Sequence, residues 1–280
     1  MPEPVQHLVT VGGAEVHVRE WGAGNGPTVL AWHGLARNGA DFAPLADRLC
    51  DRFRVLAVDA PGRGLSAWAV DPAADYGFAA YEAVADGVLD RFAVGELHWI
   101  GTSMGGTLGI RLAAGRLAGR IRRLVVNDIG PEVPQAAIDR ILAYVGDPPS
   151  FASVREFEAW LRRVYAPYGR LPDAQWRAMA LASLRRRDDG LVTVHYDPAI
   201  VRQFVDSPDD YTVWEQWEAV RCPILVLRGA QSDLLTPAIC AAMMARNARA
   251  RLHEVPGCGH APALNVPEQT EPVREFLEAE

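Results

Sequence analysis

The chain has 280 residues, of which 49% are hydrophobic and 22% charged, and its formal net charge is -7 at pH 7. This balance is typical of a globular protein with a sizeable core, not of a disordered or fibrous chain. The acidic charge provides no broad basic surface for phosphate backbones, so we do not expect nucleic acid as a partner. The sequence also has no run of about 18 apolar residues and no secretion signal at its start, which predicts a cytoplasmic protein without a membrane span.

Two short β-rich segments come first. Residues 7–11 and 15–20 are joined by Gly12 and Gly13, which predicts an antiparallel hairpin at the edge of a sheet. Farther along, compact apolar segments are typical of strands buried on both faces. These predicted strands are residues 28–32, 54–58, 97–101, 123–127 and 223–228, with a shorter and more polar one at 251–255.

Amphipathic segments lie between the strands and predict helices. They are residues 41–49, 81–92, 104–118, 237–247 and 267–280. Strands and helices that alternate in this way form a mostly parallel sheet with helices on both faces. The predicted fold class is therefore α/β, with a doubly wound core.

The segment 131–220 interrupts the alternation, because it has helical periodicity and no convincing buried strand. We predict a helical cap here, inserted into a core formed by residues 1–130 and 221–280. Three arginines at 185–187, followed by two aspartates, are interpreted as a solvated helix end. The aromatic residues of the segment either line an apolar pocket or pack a core of the cap. They are Phe151, Phe157, Trp160, Tyr165, Tyr168, Trp176, Tyr196, Phe204, Tyr211, Trp214 and Trp217.

The sharpest motif is at residues 101–105, which read Gly-Thr-Ser-Met-Gly. It follows a predicted strand and precedes a predicted helix, the context in which a G-x-S-x-G sequence forms a nucleophile elbow. Such a turn holds its serine in strained backbone geometry with the hydroxyl group exposed. The alternative is an ordinary glycine-rich turn before a helix. The flanking elements favour Ser103 as a nucleophile.

A serine nucleophile needs a base to take its proton and a third group to orient that base. Of the seven histidines, His260 lies in a glycine-containing loop after the last predicted strand, where a side chain can turn back over the sheet. We predict that His260 is the general base. Five others belong to strand patterns or to the predicted cap, and His33 is interpreted as an organiser of its loop rather than as a second base.

The orienting acid is expected between the serine and the histidine in sequence. Asp233, in the loop after the predicted strand 223–228, meets this condition and is the predicted acid. The alternative is Asp128, at the end of the preceding strand. The backbone N–H groups of Leu35 and Met104 are the predicted oxyanion donors, because acyl transfer needs donors where negative charge develops.

The four cysteines are scattered, without C-x-x-C pairing or histidines at the spacing of a zinc site. They therefore predict free thiols and no metal site. Cys258 is two residues before His260, but nothing adjacent would lower the pKa of its thiol. We interpret it as a packing residue.

Four motifs together resemble the α/β-hydrolase superfamily over nearly the whole chain. They are His-Gly at 33–34, Asp-Ala-Pro-Gly-Arg-Gly-Leu-Ser at 59–66, Gly-Thr-Ser-Met-Gly-Gly at 101–106 and Gly-His at 259–260. The resemblance implies an eight-stranded, mostly parallel sheet, a cap inserted after the sixth strand, no cofactor, and chemistry between core and cap. It also implies a structural role for residues 59–66. Epoxide hydrolases and haloalkane dehalogenases of this superfamily use an aspartate nucleophile. The serine at position 103 argues against both of these activities.

These observations predict a serine hydrolase that cleaves carboxylic esters through an acyl-enzyme intermediate. The apolar cap predicts a small uncharged or aliphatic ester as the substrate. Three alternatives share the same motifs: a carbon–carbon bond hydrolase of ring-fission products, a cofactor-free perhydrolase or haloperoxidase, and a ligand receptor without turnover. The oligomeric state is open, with a homodimer as one alternative.

Overall fold

The computed structural model describes residues 3–279. Within these residues, ten strands follow one another. They are β1 (Val5–Val11), β2 (Ala14–Trp21), β3 (Thr28–Trp32), β4 (Arg54–Val58), β5 (Leu97–Thr102), β6 (Ile121–Asn127), β7 (Leu184–Arg186), β8 (Val192–Val194), β9 (Ile224–Gly229) and β10 (Ala250–Val255). Eight of them form one sheet in the order β1-β2-β4-β3-β5-β6-β9-β10.

Eleven α-helices accompany these strands in the described residues. They are α1 (Ala43–Leu49), α2 (Pro72–Asp75), α3 (Phe78–Arg91), α4 (Met104–Ala114), α5 (Gln135–Val145), α6 (Val154–Val164), α7 (Asp173–Ser183), α8 (Arg202–Val205), α9 (Trp214–Ala219), α10 (Pro237–Arg246) and α11 (Pro267–Glu278). The end predicted for the last helix, Glu280, lies outside the described residues. None of the helices within residues 3–279 is long and apolar enough to cross a membrane.

The sheet is mostly parallel, which confirms the predicted fold class. Only β2 runs antiparallel to its neighbours β1 and β4, and β1 with β2 is the predicted hairpin. The remaining pairs of neighbouring strands are parallel. Because parallel strands end at the same edge of a sheet, the loops after β3, β5, β6 and β9 meet at one edge.

The central strands are apolar throughout because helices cover both faces of the sheet. In β3, Leu30 and Trp32 belong to one hydrophobic cluster, while Val29 and Ala31 belong to the other. This alternation follows from the two-residue repeat of a strand. A strand buried on both faces therefore lacks the polar alternation of a half-exposed one.

The elements between β6 and β9 do not continue the alternation of sheet strands and helices, as expected for the predicted cap. The division of the chain at 131 and 220 stays a prediction. They comprise α5 to α9 and a separate antiparallel pair, β7 with β8. The expectation that this segment has no buried strand was wrong, because β8 is buried along its length. The interpretation of the arginine run as a helix end was also wrong. Its first two arginines lie in β7, and the chain then turns at Gly190, whose φ of 85° suits glycine.

Candidate active site

Ser103 occupies a sharp turn between β5 and α4. Its φ of 52° and ψ of -118° are strained for a residue with a side chain. Its backbone N–H donates to the Asn127 carbonyl at 2.9 Å, and its own carbonyl accepts from the Gly106 N–H at 2.7 Å. Gly105 must be a glycine, because a Cβ atom there would overlap the Trp32 carbonyl oxygen. The motif thus has the strand–turn–helix geometry of a nucleophile elbow.

His260 lies in the loop between β10 and α11 and lines the same small pocket as Ser103. Its Nδ1 is 2.9 Å from Oδ2 of Asp128. A carboxylate accepts hydrogen bonds, so this contact places the ring proton on Nδ1 when the histidine is neutral. Nε2 is then the ring nitrogen that can accept a proton.

Asp128 is held firmly at the end of β6, where it is completely buried. Its Oδ1 accepts from the Gly229 backbone N–H at 2.7 Å. Its Oδ2 accepts from the Ser232 hydroxyl at 2.6 Å, in addition to the bond from His260. A buried carboxylate is costly unless it is hydrogen-bonded. These donors both offset that cost and fix the direction in which the carboxylate points.

The structure does not bring the predicted acid, Asp233, to His260. The Asp233 side chain is 55% exposed and accepts hydrogen bonds from Nε and Nη2 of Arg140 at 2.8 and 3.0 Å. The predicted pairing is therefore corrected in favour of the alternative, Asp128. The physical reason is that the loop after β9 directs Asp233 outward, toward the cap helix α5, while its Ser232 turns inward to Asp128.

The two predicted oxyanion donors come from the loop after β3 and from the start of α4. Leu35, in the loop after β3, lines the pocket with Ser103, and no backbone carbonyl within residues 3–279 accepts its N–H. Met104 is the first residue of α4, so its N–H has no acceptor inside the helix. Their role as oxyanion donors stays a prediction.

His33 organises the loop that carries Leu35. Its Nε2 accepts from the Ala60 backbone N–H at 2.9 Å, and its Nδ1 donates to the Gly34 carbonyl at 2.7 Å. Complete burial lowers the pKa of His33 to about 4. Both ring nitrogens are thus engaged by backbone groups, and the ring is neutral at pH 7.

The motif at 59–66 contacts the loop after β3 as well. The fully buried Asp59 accepts hydrogen bonds from His17 at 2.8 Å and Arg19 at 2.6 Å. Burial alone would raise the pKa of Asp59, but these two partners hold it below its usual range. Arg63, also fully buried, donates to the Leu35 carbonyl at 2.9 Å. The motif therefore positions the loop after β3.

Two cavities meet beside Ser103. The smaller, of about 40 Å³, is the pocket lined by Ser103 and His260. The larger, of about 320 Å³, lies between the core and α7, and most of its walls are apolar. Its apolar lining includes Phe42, Leu171, Met179, Ala182 and Leu264. Gly34, Thr102 and Tyr168 line both cavities, so an ester bound at Ser103 has an apolar space next to it.

Among the predicted cap aromatics, Tyr165 and Tyr168 line the small pocket. Phe151, Phe157 and Trp160 instead pack on one another, with ring centroids 5.7 to 5.8 Å apart. Of the further lining residues that sequence reasoning missed, three have polar groups. They are Arg37, Arg140 and Tyr144. Polar residues of an amphipathic helix or loop are expected to face solvent, so no sequence signal distinguished these three.

The described residues contain no group of three or more histidine, cysteine, aspartate or glutamate side chains placed to hold a metal ion. Cys258 is buried, and its thiol contacts Gln269 Nε2 at 3.4 Å and the Tyr168 carbonyl at 3.6 Å. Burial raises the pKa of this thiol. Its surroundings are those of a packing residue.

The chain is similar to known hydrolases over almost its whole length. The model of the alpha/beta hydrolase family matches residues 29–278. The 3-hydroxybutyrate-oligomer hydrolase of Cupriavidus necator is 38% identical, over 98% of this chain and 96% of that protein. The 2-(acetamidomethylene)succinate hydrolase of Mesorhizobium japonicum is 29% identical, over 98% and 96%. A crystal structure of an alpha/beta hydrolase from Novosphingobium aromaticivorans superposes with a TM-score of 0.89 at 33% identity and covers 99% of each chain.

The chain therefore belongs to the alpha/beta hydrolase family. The eight-stranded sheet, the elbow at Ser103 and the elements inserted after β6 agree with that membership. It is an enzyme, a hydrolase that acts on ester bonds.

Proposed function

We propose that the enzyme cleaves carboxylic esters through an acyl-enzyme intermediate formed on Ser103. The observation that carries the proposal is that a strained serine lines one pocket together with a histidine that is hydrogen-bonded to the buried Asp128. This arrangement supports the roles of nucleophile, base and orienting acid for Ser103, His260 and Asp128.

In the first step, His260 Nε2 takes the Ser103 hydroxyl proton while Oγ bonds to the acyl carbon. The resulting oxyanion accepts hydrogen bonds from the Leu35 and Met104 backbone N–H groups. The C–O bond to the alcohol then breaks, and His260 returns its proton to the leaving oxygen. Asp128 orients the imidazole and stabilises its charged form.

In the second step, His260 takes a proton from a water molecule, whose oxygen bonds to the acyl carbon. Collapse of the second oxyanion breaks the bond to Ser103 Oγ, which recovers its proton from His260. The net reaction consumes one ester and one water and yields one acid and one alcohol. Every proton moves between groups of this pocket, so no cofactor is needed.

For the substrate, we propose short oligomers of 3-hydroxybutyrate. Support comes from the 38% identity to a hydrolase named for such oligomers, over nearly the full length of both chains. The apolar cavity beside Ser103 suits the aliphatic units of such an ester. The receptor alternative is not adopted, because the relatives are named hydrolases and esterases.

The first test is labelling with an alkyl fluorophosphonate, followed by intact mass and peptide mapping. A single adduct is expected on Ser103 and none on the Ser103→Ala variant. Ser150, which is exposed, provides the control, and Ser150→Ala should be labelled like the unchanged enzyme. A folded enzyme that forms no adduct, or forms it elsewhere, contradicts the proposal.

A further inference from the structure

Two arginines, Arg37 and Arg140, line the pocket that holds Ser103 and His260. They differ in whether the guanidinium group can bind a further anion. Arg37 is 3% exposed at its side chain. It donates from Nε and Nη2 to the two carboxylate oxygens of Asp41 at 2.7 and 2.6 Å, and from Nη1 to the Ser183 hydroxyl at 2.9 Å. Arg37 is thus neutralised inside the protein, where it joins the loop after β3 to α7.

Arg140 is different, because water reaches both it and its partner. It lies on α5, its side chain is 42% exposed, and Asp233 engages two of its five N–H groups side by side. This planar arrangement matches a carboxylate closely. An ion pair with such exposure contributes little to folding, so another carboxylate can compete for Arg140 at small cost.

We propose that Arg140 binds a carboxylate group of the substrate and makes the enzyme selective for acidic esters. The proposal rests on the proposed function, because it places the scissile ester at Ser103. The apolar part of the substrate then lies in the cavity of about 320 Å³, and the acid end lies against α5. The sequence-based expectation was an uncharged or aliphatic ester; this proposal keeps the aliphatic body of the substrate and replaces the uncharged end by a carboxylate.

The test compares two substrates that differ only in that charge. One is the linear dimer of 3-hydroxybutyrate with its terminal carboxyl group free, and the other is the same dimer as its primary amide. Hydrolysis of the internal ester is followed by mass spectrometry of the products. The measured quantity is the ratio of kcat/KM for the acid to kcat/KM for the amide.

The unchanged enzyme should prefer the acid at least tenfold, and Arg140→Gln should lose most of this preference through a higher KM for the acid. Arg140→Lys, which keeps the charge but not the paired N–H groups, should retain part of it. Added salt should weaken the preference in the unchanged enzyme, because the arginine is exposed. Added salt should have little effect on the acid-to-amide ratio of Arg140→Gln.

Arg202→Gln is the matched control. Arg202 also lies between β6 and β9, is 49% exposed, and pairs through Nε and Nη2 with Asp206. It is not among the residues that line either cavity beside Ser103. Its variant should keep the preference of the unchanged enzyme, so a loss confined to Arg140→Gln cannot be attributed to the removal of an arginine as such.

A second measurement separates this proposal from the proposed function. Alkyl fluorophosphonates that end in a carboxylate or in an amide should label Ser103 at different rates, with the carboxylate faster in the unchanged enzyme and the difference lost in Arg140→Gln. Equal labelling rates, or a preference that survives Arg140→Gln, overturn the role of Arg140 while the esterase proposal stands. Absence of any Ser103 adduct is instead the failure of the proposed function.

Discussion

Asp128 receives hydrogen bonds from a backbone N–H, a serine hydroxyl and the His260 ring. We predict that Asp128→Asn lowers kcat by about 10⁴, because an amide favours the wrong tautomer of the imidazole. Asp233→Asn should cost far less, since Asp233 is exposed and does not contact His260. Ester hydrolysis by the two purified variants is the measurement. A larger loss in Asp233→Asn would return the role to the residue that the sequence favoured.

The sequence narrowed the acid to two aspartates but had no means to tell which of them contacts His260. Both follow predicted strands, and both lie between Ser103 and His260 in the chain. The choice depends on side-chain direction: Asp128 adopts a φ of 60°, unusual for a residue other than glycine, and turns inward. Asp233 meets Arg140, which is 93 positions away in sequence. Neither feature leaves a local pattern.

At the scale of elements, α7 forms one wall of the apolar cavity through Met179. We predict that Met179→Trp shifts ester preference toward shorter chains, because a larger side chain fills space that the substrate occupies. Leu181→Trp is the control, since Leu181 lies on the same helix but is 55% exposed and outside the cavity lining. Rates with a series of p-nitrophenyl esters of rising acyl length measure the shift. The same length profile for both variants would place the substrate elsewhere.

Elements that depend on burial were the ones that the sequence predicted well. The five compact apolar segments coincide with β3, β4, β5, β6 and β9 to within two residues, because a strand covered on both faces must be apolar along its length. The hairpin of β7 and β8 was missed for a related reason. Each of its strands has only three residues, too few for alternation to stand out, although Asp189 and Gly190 form a turn signal between them.

At the scale of the whole molecule, the sequence predicted the order of the site residues along the chain and the edge of the sheet at which they lie. It did not predict the cavities. The loops after β3, β5 and β6 bring Leu35, Ser103 and Asp128 to that edge because these strands are parallel. The cavity of about 320 Å³ depends on how α7 lies over this edge. That placement is set by contacts between distant segments, among them the bond between Arg37 and Ser183, which a sequence pattern does not record.

Two buried histidines make the folding stability of the protein depend on pH. Burial lowers the pKa of His33 to about 4 and that of His195 to about 3, and both rings accept a hydrogen bond from a backbone N–H, of Ala60 and Gly64 respectively. In the unfolded chain each ring takes up a proton near pH 6.5. Below that pH the unfolded state therefore binds more protons than the folded state, so the free energy of unfolding falls as the pH is lowered toward 4.

From these shifts we predict that the free energy of unfolding drops by about 2 kcal/mol for each of the two histidines between pH 7 and pH 5. Urea unfolding curves at a series of pH values measure the drop. His33→Gln removes one titrating ring, so its curve should depend less steeply on pH than that of the unchanged enzyme, whatever the substitution costs at pH 7. An equally steep dependence in His33→Gln and in His195→Gln would show that other groups control acid unfolding. If the free energy of unfolding depends less steeply on pH in both variants, His33 and His195 are the groups that limit stability in acid.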